Sequence, residues 1–278
     1  MFTLKRFTLS NFNDKNELFE DLYVIFCKSL NPTLTKREFK SYYFSHTPHF
    51  MDITFIYKGE EIVGFISASF YKHSLGNQLY TICRGAVGFI EGVRGGKLPS
   101  WRLCLKYITY KFKHPSEKVY LTGFMANPIM YSMICKYTRK VYPKTGIEIP
   151  EEIQRLKNDL ITFYNLGKKV ISPFVLRIHF QVHINAGDLQ RIYSSTDRHV
   201  LFYLSLNQGF LQQAGLLTIV PVSWSNILAS ATTGLVVKPV TKFIRKNRAA
   251  KMLRAKLSGF LDVLKTKKAL PNSGQLSN

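Results

Sequence analysis

Residues 79–112 read LYTICRGAVGFIEGVRGGKLPSWRLCLKYITYKF, and this stretch decides the fold that the rest of the sequence suggests. Residues 79–90 are rich in β-branched and aromatic side chains, which predicts a strand. Gly85 and Gly88 interrupt it, and glycine inside a strand often marks a bulge or a close approach of another backbone. After a glycine-rich loop, the helical spacing of apolar residues begins, at Leu98, Trp101, Leu105, Ile108 and Phe112. The stretch therefore predicts a strand, a glycine loop and a helix in direct succession.

Shorter patterns on both sides predict further elements. Thr35 and Glu38 form a capping box, the reciprocal pair that opens many helices. Lys58-Gly59-Glu60-Glu61 joins two β-rich runs, which is typical of a hairpin. The other elements are, in chain order, a strand at 2–10, two helices before residue 44, strands at 53–57 and 62–70, a strand at 118–124 and a helix from Asn127. This order predicts an α+β fold with a mixed, mostly antiparallel central sheet flanked by helices.

Three further elements are predicted in the second half of the chain. Pro150, followed by two glutamates, opens an inserted helix at 149–165. Residues 176–184 alternate between apolar and polar side chains, as an antiparallel strand with one wet face does. Residues 199–206 are predicted as its neighbouring strand, with a short helix at 189–193 between them.

The limits of the domain are less sharply marked. Between residues 199 and 237 no charged side chain occurs, counting histidine as neutral, yet proline and glycine interrupt the run. We therefore predict a buried core segment there in preference to a membrane-spanning helix. We expect one domain at 1–207 and an extension at 208–278, and the sequence leaves open whether residues 138–237 complete the sheet or form a separate lobe.

The charge of the chain is strongly positive, with 39 Lys and Arg against 17 Asp and Glu and a net charge of +22. Residues 238–268 carry eleven of the basic residues and one acid, Asp262, so that this segment alone has a net charge of +10. Apolar residues between 243 and 264 fall broadly on one side of a helix, which predicts a C-terminal basic amphipathic helix. Such a helix suits an anionic membrane surface or an acidic protein groove better than nucleic acid, since phosphates need no apolar face.

The cysteines and histidines do not indicate a metal site or a disulfide framework. Cys27, Cys83, Cys104 and Cys135 include no C-x-x-C pair, which favours a reducing, cytoplasmic compartment, with peripheral attachment to a membrane as an extension of that prediction. His179 and His183 would lie on one face of a strand but roughly 13 Å apart, too far to share a zinc ion. The first residues do not form a secretory signal.

The glycine loop is the strongest candidate for chemistry. Backbone N–H groups around Gly95 and Gly96 can converge on a phosphate, and the helix that follows adds the positive end of its dipole. Arg94 and Lys97 would contribute positive charge. The alternative interpretation is that the two glycines form a structural turn before the helix.

Residues 2–137 resemble the GNAT superfamily of acyl-CoA-dependent N-acyltransferases. The resemblance depends on the element order, on the hairpin at 57–65, on the segment 94–98 and on Asn127. It implies that strands 79–90 and 118–124 splay apart. It also implies that acetyl-CoA or a longer acyl-CoA binds between them. The residues implied to contact the diphosphate and the rest of the cofactor are Arg94, Gly95, Gly96, Lys97, Leu98 and Asn127.

The same resemblance suggests which residues would take part in acyl transfer. Glu91 would face the acceptor as general base, and Tyr131 would protonate the leaving thiolate. Backbone groups of Phe89 and Ile90, separated by a bulge near Gly88, would hold the thioester oxygen. The alternatives are that Glu91 is an exposed acid beside the loop and that Tyr131 is an aromatic on a helix face.

The sequence thus supports two hypotheses about function. The first is an acyl-CoA-dependent N-acyltransferase that moves an acyl group from a CoA-type thioester to an amine acceptor, which the sequence does not identify. The second is a non-catalytic GNAT-like binding module that docks on an anionic membrane or on nucleic acid through residues 238–268.

Overall fold

The computed structural model describes residues 2–9, 16–30, 34–44, 48–75, 78–93, 101–164, 166–179 and 184–232. The strands are β1 (Phe2–Leu9), β2 (Phe50–Lys58), β3 (Glu61–Leu75), β4 (Gln78–Phe89), β5 (Lys118–Met125), β6 (Val170–Ser172), β7 (Val175–Arg177) and β8 (Ala214–Pro221). The helices are α1 (Asn16–Leu30), α2 (Lys36–Phe44), α3 (Trp101–Lys113), α4 (Pro128–Tyr137), α5 (Glu151–Phe163), α6 (Ala186–Tyr193), α7 (Arg198–Leu206) and α8 (Trp224–Thr232).

The strands form one sheet in the order β1-β2-β3-β4-β5-β8-β7-β6. Among the described strands, β4 and β5 are the one parallel pair, and every other neighbouring pair is antiparallel. A parallel pair needs a crossover connection, which α3 supplies between β4 and β5. The predicted α+β class and mostly antiparallel sheet are confirmed.

Two local signals act as the sequence predicts. The backbone N–H of Thr35 donates to Glu38 Oε2 at 2.8 Å, and the N–H of Glu38 donates to Thr35 Oγ1 at 3.3 Å, so the capping box opens α2. Gly59 has a φ of +65° between β2 and β3, a conformation that glycine adopts without steric cost. The predicted hairpin is therefore confirmed.

Helices cover both faces of the sheet. On one face, which we call the α5 face, α1 packs on β2 and β3 through Leu22, Ile25 and Phe26, while α5 packs on the middle strands through Leu156 and Leu160. On the opposite face, which we call the α3 face, α3 packs near the middle of the sheet and α4 and α7 pack beyond it.

The second half of the chain departs from its predicted elements. Residues 199–206 belong to helix α7 and not to a strand, because Val200 and Tyr203 are buried three residues apart and Asp197 caps the helix. The short helix at 189–193 is confirmed within α6. The alternating run at 176–184 contributes to β7 at Val175–Arg177, and residues 180–183 lie outside the described part.

Residues beyond 207 also contribute to the sheet. β8 lies between β5 and β7, and its residues from Ala214 to Val220 are all buried. Residues 1–230 form one compact unit, and the predicted amphipathic helix at 243–264 lies outside the described residues. Within the described chain, no helix combines the length and apolar character needed to cross a bilayer.

Candidate active site at a fork in the sheet

The middle of the sheet opens where β4 and β5 stop pairing. The two strands pair from Tyr80 opposite Lys118 to Arg84 opposite Thr122. Beyond that point β4 continues with β3 as far as Phe89, and β5 continues with β8 as far as Met125. We call the resulting gap, between residues 85–89 and residues 123–125, the fork.

Solvent reaches the fork, although it lies in the centre of an eight-stranded sheet. Ile82 and Cys83 have exposed fractions of 1% and 0%, whereas residues 84–87 are all partly exposed. The same change from buried to partly exposed residues occurs along β5, where Thr122 is buried and residues 123–125 are partly exposed. The described part of the sheet is therefore open at its centre.

The two glycines of β4 allow helices to approach the strand closely. A Cβ atom at Gly85 would lie 2.0 Å from the Tyr107 hydroxyl of α3, and one at Gly88 would lie 2.3 Å from Ser29 Oγ of α1. The β3–β4 pairing continues without a register shift to Gly64 opposite Phe89, so the predicted bulge near Gly88 is wrong. These glycines permit close helix packing on each face.

A small pocket of about 10 Å³, room for about one water molecule, lies on the α5 face at the start of the fork. It is lined by Arg84, Thr122, Gly123, Phe124, Leu160, Tyr164, Leu166 and Leu217. The guanidinium carbon of Arg84 lies 4.6 Å from the centre of the Tyr164 ring, a cation–π contact. Arg84 and Tyr164 were not among the residues predicted from the sequence, although Arg84 is the one charge in an otherwise apolar stretch of strand.

The residues predicted to hold the thioester and its diphosphate lie at or beyond the end of β4. Phe89 ends the strand, and the N–H of Ile90 donates to the carbonyl of Val63 at 3.1 Å. The Ile90 amide therefore contributes to the sheet, while its carbonyl accepts a bond from the N–H of Val93 at 3.3 Å. The predicted diphosphate contacts Arg94, Gly95, Gly96, Lys97 and Leu98 lie outside the described residues.

Glu91, the predicted base, follows the last residues of β4. It is exposed and begins a turn in which Gly92 has a φ of +78°. The described fork strands, residues 84–89 and 122–125, carry no carboxylate. Glu91 is thus the acid that lies next to the end of β4 along the chain.

Asn127 lies two residues after β5, at the start of α4. Its side-chain oxygen accepts hydrogen bonds from the N–H groups of Ile129 at 2.8 Å and Met130 at 3.4 Å. These bonds satisfy amides of the first helical turn, which have no partner within the helix. Asn127 therefore has a capping role, and its contact with a cofactor stays a prediction.

Tyr131, the predicted acid, is fully buried on the inner side of α4. Its hydroxyl donates to the carbonyl of Pro143 at 2.7 Å, and its ring lies 5.5 Å from that of Tyr203. Burial, with a smaller effect of Cys135, raises the pKa of Tyr131 well above its ordinary value. In this conformation the hydroxyl is directed into the core, so protonation of a thiolate stays a prediction.

Comparison with known proteins gives matches among solved structures alone. No family model matches the chain, and no curated protein does. A probable N-acyltransferase from Enterococcus faecalis V583 is 15% identical with a TM-score of 0.33, over 49% of this chain and 32% of its own, so this chain spans about a third of that protein.

Two further structures are similar over most of their own length. The catalytic domain of Tetrahymena GCN5 histone acetyltransferase in complex with coenzyme A is 17% identical with a TM-score of 0.34, over 55% of this chain and 82% of its own. An aminoglycoside acetyltransferase from an uncultured soil metagenomic sample is 11% identical with a TM-score of 0.34, over 53% and 91%. By its own strand order, with a parallel central pair that splays apart, the chain has a GNAT-like fold.

Proposed function

We propose that the protein is an acyl-CoA-dependent N-acyltransferase that transfers an acyl group from a CoA-type thioester to an amine. The observation that carries the proposal is the fork, where two central strands end their pairing and the sheet opens to solvent. Acetyl-CoA or a longer acyl-CoA would be the donor.

The edges of the fork suit an extended ligand that contains amides. Beyond Arg84 and Thr122, the strands β4 and β5 no longer exchange hydrogen bonds with each other. Backbone polar groups need partners, and an extended chain with its own amides can satisfy a strand edge as an added strand does. The amide-bearing arm of coenzyme A has this chemistry.

Direct transfer requires two proton movements. The amine nitrogen attacks the thioester carbon, a base removes a proton from nitrogen, and the departing thiolate gains a proton. In our proposal Glu91 is the base and Tyr131 the acid, and Tyr131 exchanges its bond to Pro143 for one to sulfur. Arg94, Gly95, Gly96, Lys97, Leu98 and Asn127 would hold the diphosphate end of the donor, with Phe89 and Ile90 beside its thioester.

Binding of the donor tests the proposal directly. Isothermal titration and thermal unfolding with acetyl-CoA and with palmitoyl-CoA should show binding and a higher melting temperature for at least one of them. Gly123→Val should weaken this binding, because the new side chain would lie beside Met125 at the edge of the fork. Gly167→Val is the matched control, since nothing lies within 4 Å of its Cβ position. If neither thioester binds, the proposal fails.

The two assigned residues have separate tests. Glu91→Gln should lower kcat most at low pH, where fewer amines are already deprotonated, without changing the Kd for the donor. Tyr131→Phe should lower kcat without changing that Kd. If either variant has the activity of the unmodified protein, the role assigned to that residue is wrong.

One observation favours the second hypothesis, a non-catalytic binding module. No carboxylate occurs on the described strands of the fork, while residues 238–268 have a net charge of +10. Under this hypothesis the chain would sediment with phosphatidylserine vesicles, or bind DNA with a steep dependence on salt. Deletion of residues 238–278 would abolish either interaction. If the donor thioester is turned over, catalysis is established whatever the result with vesicles.

A further inference from the structure

The open end of β5 presents the backbone of one residue to the fork. The N–H of Val222, which directly follows β8, donates to the carbonyl of Val119 at 2.8 Å, so the backbone groups of Val119 face the side of β8. Backbone polar groups of successive strand residues point to alternate neighbours, which directs those of Gly123 and Met125 toward β8 as well. The N–H and carbonyl of Phe124 are consequently directed to the other side, into the fork.

A buried tyrosine holds β5 next to that residue. Tyr203 lies on α7, is fully buried, and donates from its hydroxyl to the carbonyl of Met125 at 2.9 Å. Met125 is the last residue of β5 and directly follows Phe124. Because each residue has only two freely rotating backbone angles, a bond that fixes Met125 also limits the movement of Phe124.

The Tyr203 hydroxyl is itself held in place by Asn207. The buried side-chain amide of Asn207 donates to the hydroxyl oxygen at 2.9 Å and to the carbonyl of Ala214 at 3.0 Å. Since the hydroxyl oxygen accepts a bond from Asn207, its proton remains for Met125, and linked bonds of this kind strengthen one another. The network therefore joins α7, the end of β5 and the beginning of β8.

The network lies where the sheet supports β5 least. Beyond Thr122, β5 no longer pairs with β4, and β8 is the one described strand that still pairs with it. The opposite edge of the fork differs, because β4 continues its pairing with β3 as far as Phe89 without a register shift. A side-chain bond from outside the sheet consequently matters more for the β5 edge than for the β4 edge.

From these contacts we infer that Tyr203 is a positioning residue of the donor site, whose hydroxyl holds the end of β5 so that the backbone of Phe124 can bind an extended acyl-CoA. The inference depends on the proposed function. Asn207 supports this role by orienting the hydroxyl. Tyr203 touches neither substrate in this assignment, so it affects binding of the donor and not the chemical step.

Removal of the hydroxyl alone tests the inference. Tyr203→Phe should raise the Kd and the KM for acetyl-CoA roughly 3- to 10-fold, the range expected for loss of one hydrogen bond, and leave kcat within about twofold. Tyr120→Phe is the matched control, because it removes a hydroxyl that bonds to Glu152 at 3.1 Å from the paired part of the same strand. The control should bind acetyl-CoA as the unmodified protein does. An unchanged Kd in Tyr203→Phe would overturn the inference.

Hydrogen exchange provides a second measurement, which needs no ligand. In Tyr203→Phe the amides of Gly123 and Met125 should exchange roughly 3- to 10-fold faster, whereas those of β3 should not change, because the loosening is local. Asn207→Ala keeps the tyrosine and should have the same effect to a smaller extent. Unchanged exchange at Gly123 and Met125, or an equal increase in β3, would reject the local role of Tyr203.

The two proposals can fail separately. If acetyl-CoA binds the unmodified protein and Tyr203→Phe equally well, the function stands and the role of Tyr203 is wrong. If neither acetyl-CoA nor palmitoyl-CoA binds the unmodified protein, the proposed function fails, and the assignment of Tyr203 to a donor site fails with it. Hydrogen exchange then still decides whether Tyr203 holds the end of β5.

Discussion

Replacing Gly85 by alanine tests whether close packing of α3 shapes the fork. The new Cβ would lie 2.0 Å from the Tyr107 hydroxyl, so one of the two groups must move by at least about 1.4 Å to reach the 3.4 Å of ordinary contact. Tyr107 cannot move freely, because its ring is 4% exposed and lies 6.0 Å from that of Phe70. Overpacking of this kind costs about 1–3 kcal/mol, and we expect Gly85→Ala to lower the free energy of unfolding by about 2 kcal/mol.

Urea unfolding followed by circular dichroism measures this effect. Gly209→Ala is the control, because its Cβ would lie 3.7 Å from the nearest atom outside its chain neighbours. Tyr107→Phe removes the nearest clashing atom and leaves the Leu103 methyl at 2.8 Å, so the double variant should lose less stability than the two single variants together, by at least about 0.5 kcal/mol. A stable Gly85→Ala, or a double variant with additive losses, would refute the packing argument.

Three further predictions concern buried and paired charges. Burial tends to raise the pKa of Glu117, but hydrogen bonds from Lys72 and Thr81 outweigh this effect and lower the pKa to about 2. The midpoint of urea unfolding should therefore decrease as the pH is lowered from about 4.5 to about 2, and it should decrease less in Glu117→Gln. Asp197→Ala should lower the free energy of unfolding by about 1–2 kcal/mol, because the Asp197 side chain caps α7. Asp197→Asn should retain most of the stability of the unmodified protein. Lys106→Met should cost roughly 3 kcal/mol by leaving the buried carboxylate of Asp52 with less compensating charge, and a second change, Asp52→Asn, should restore stability.

Elements with local signals could be predicted from the sequence. The capping box at Thr35 and the turn at Gly59 involve residues within a few positions of each other, so their geometry is encoded locally. Helix α7 was mistaken for a strand because the run Val200-Leu201-Phe202-Tyr203-Leu204 is continuously apolar. Continuous runs fit a buried strand and a buried helix equally well.

The candidate site was predicted only in part, because only some of its residues lie close together in the sequence. The end of β4 and the residues after it form one continuous stretch of sequence, and the splaying of β4 and β5 was implied by the resemblance to the GNAT superfamily. The pocket could not be predicted, because it combines Arg84 with Tyr164, 80 residues further along the chain, and with Leu217, another 53 residues beyond Tyr164. Such contacts depend on where α5 packs, and no periodicity within α5 specifies its position.

The fork itself depends on the second half of the chain. β5 leaves β4 after Thr122 but remains paired with β8, from Tyr120 opposite Pro221 to Met125 opposite Leu216. Without β8, the separated end of β5 would have no sheet partner in the described structure. Its direction would then not be fixed by hydrogen bonds to a neighbouring strand. The segment that resembles an acyltransferase, residues 2–137, therefore supplies both edges of the fork, while later residues keep it open and line its pocket.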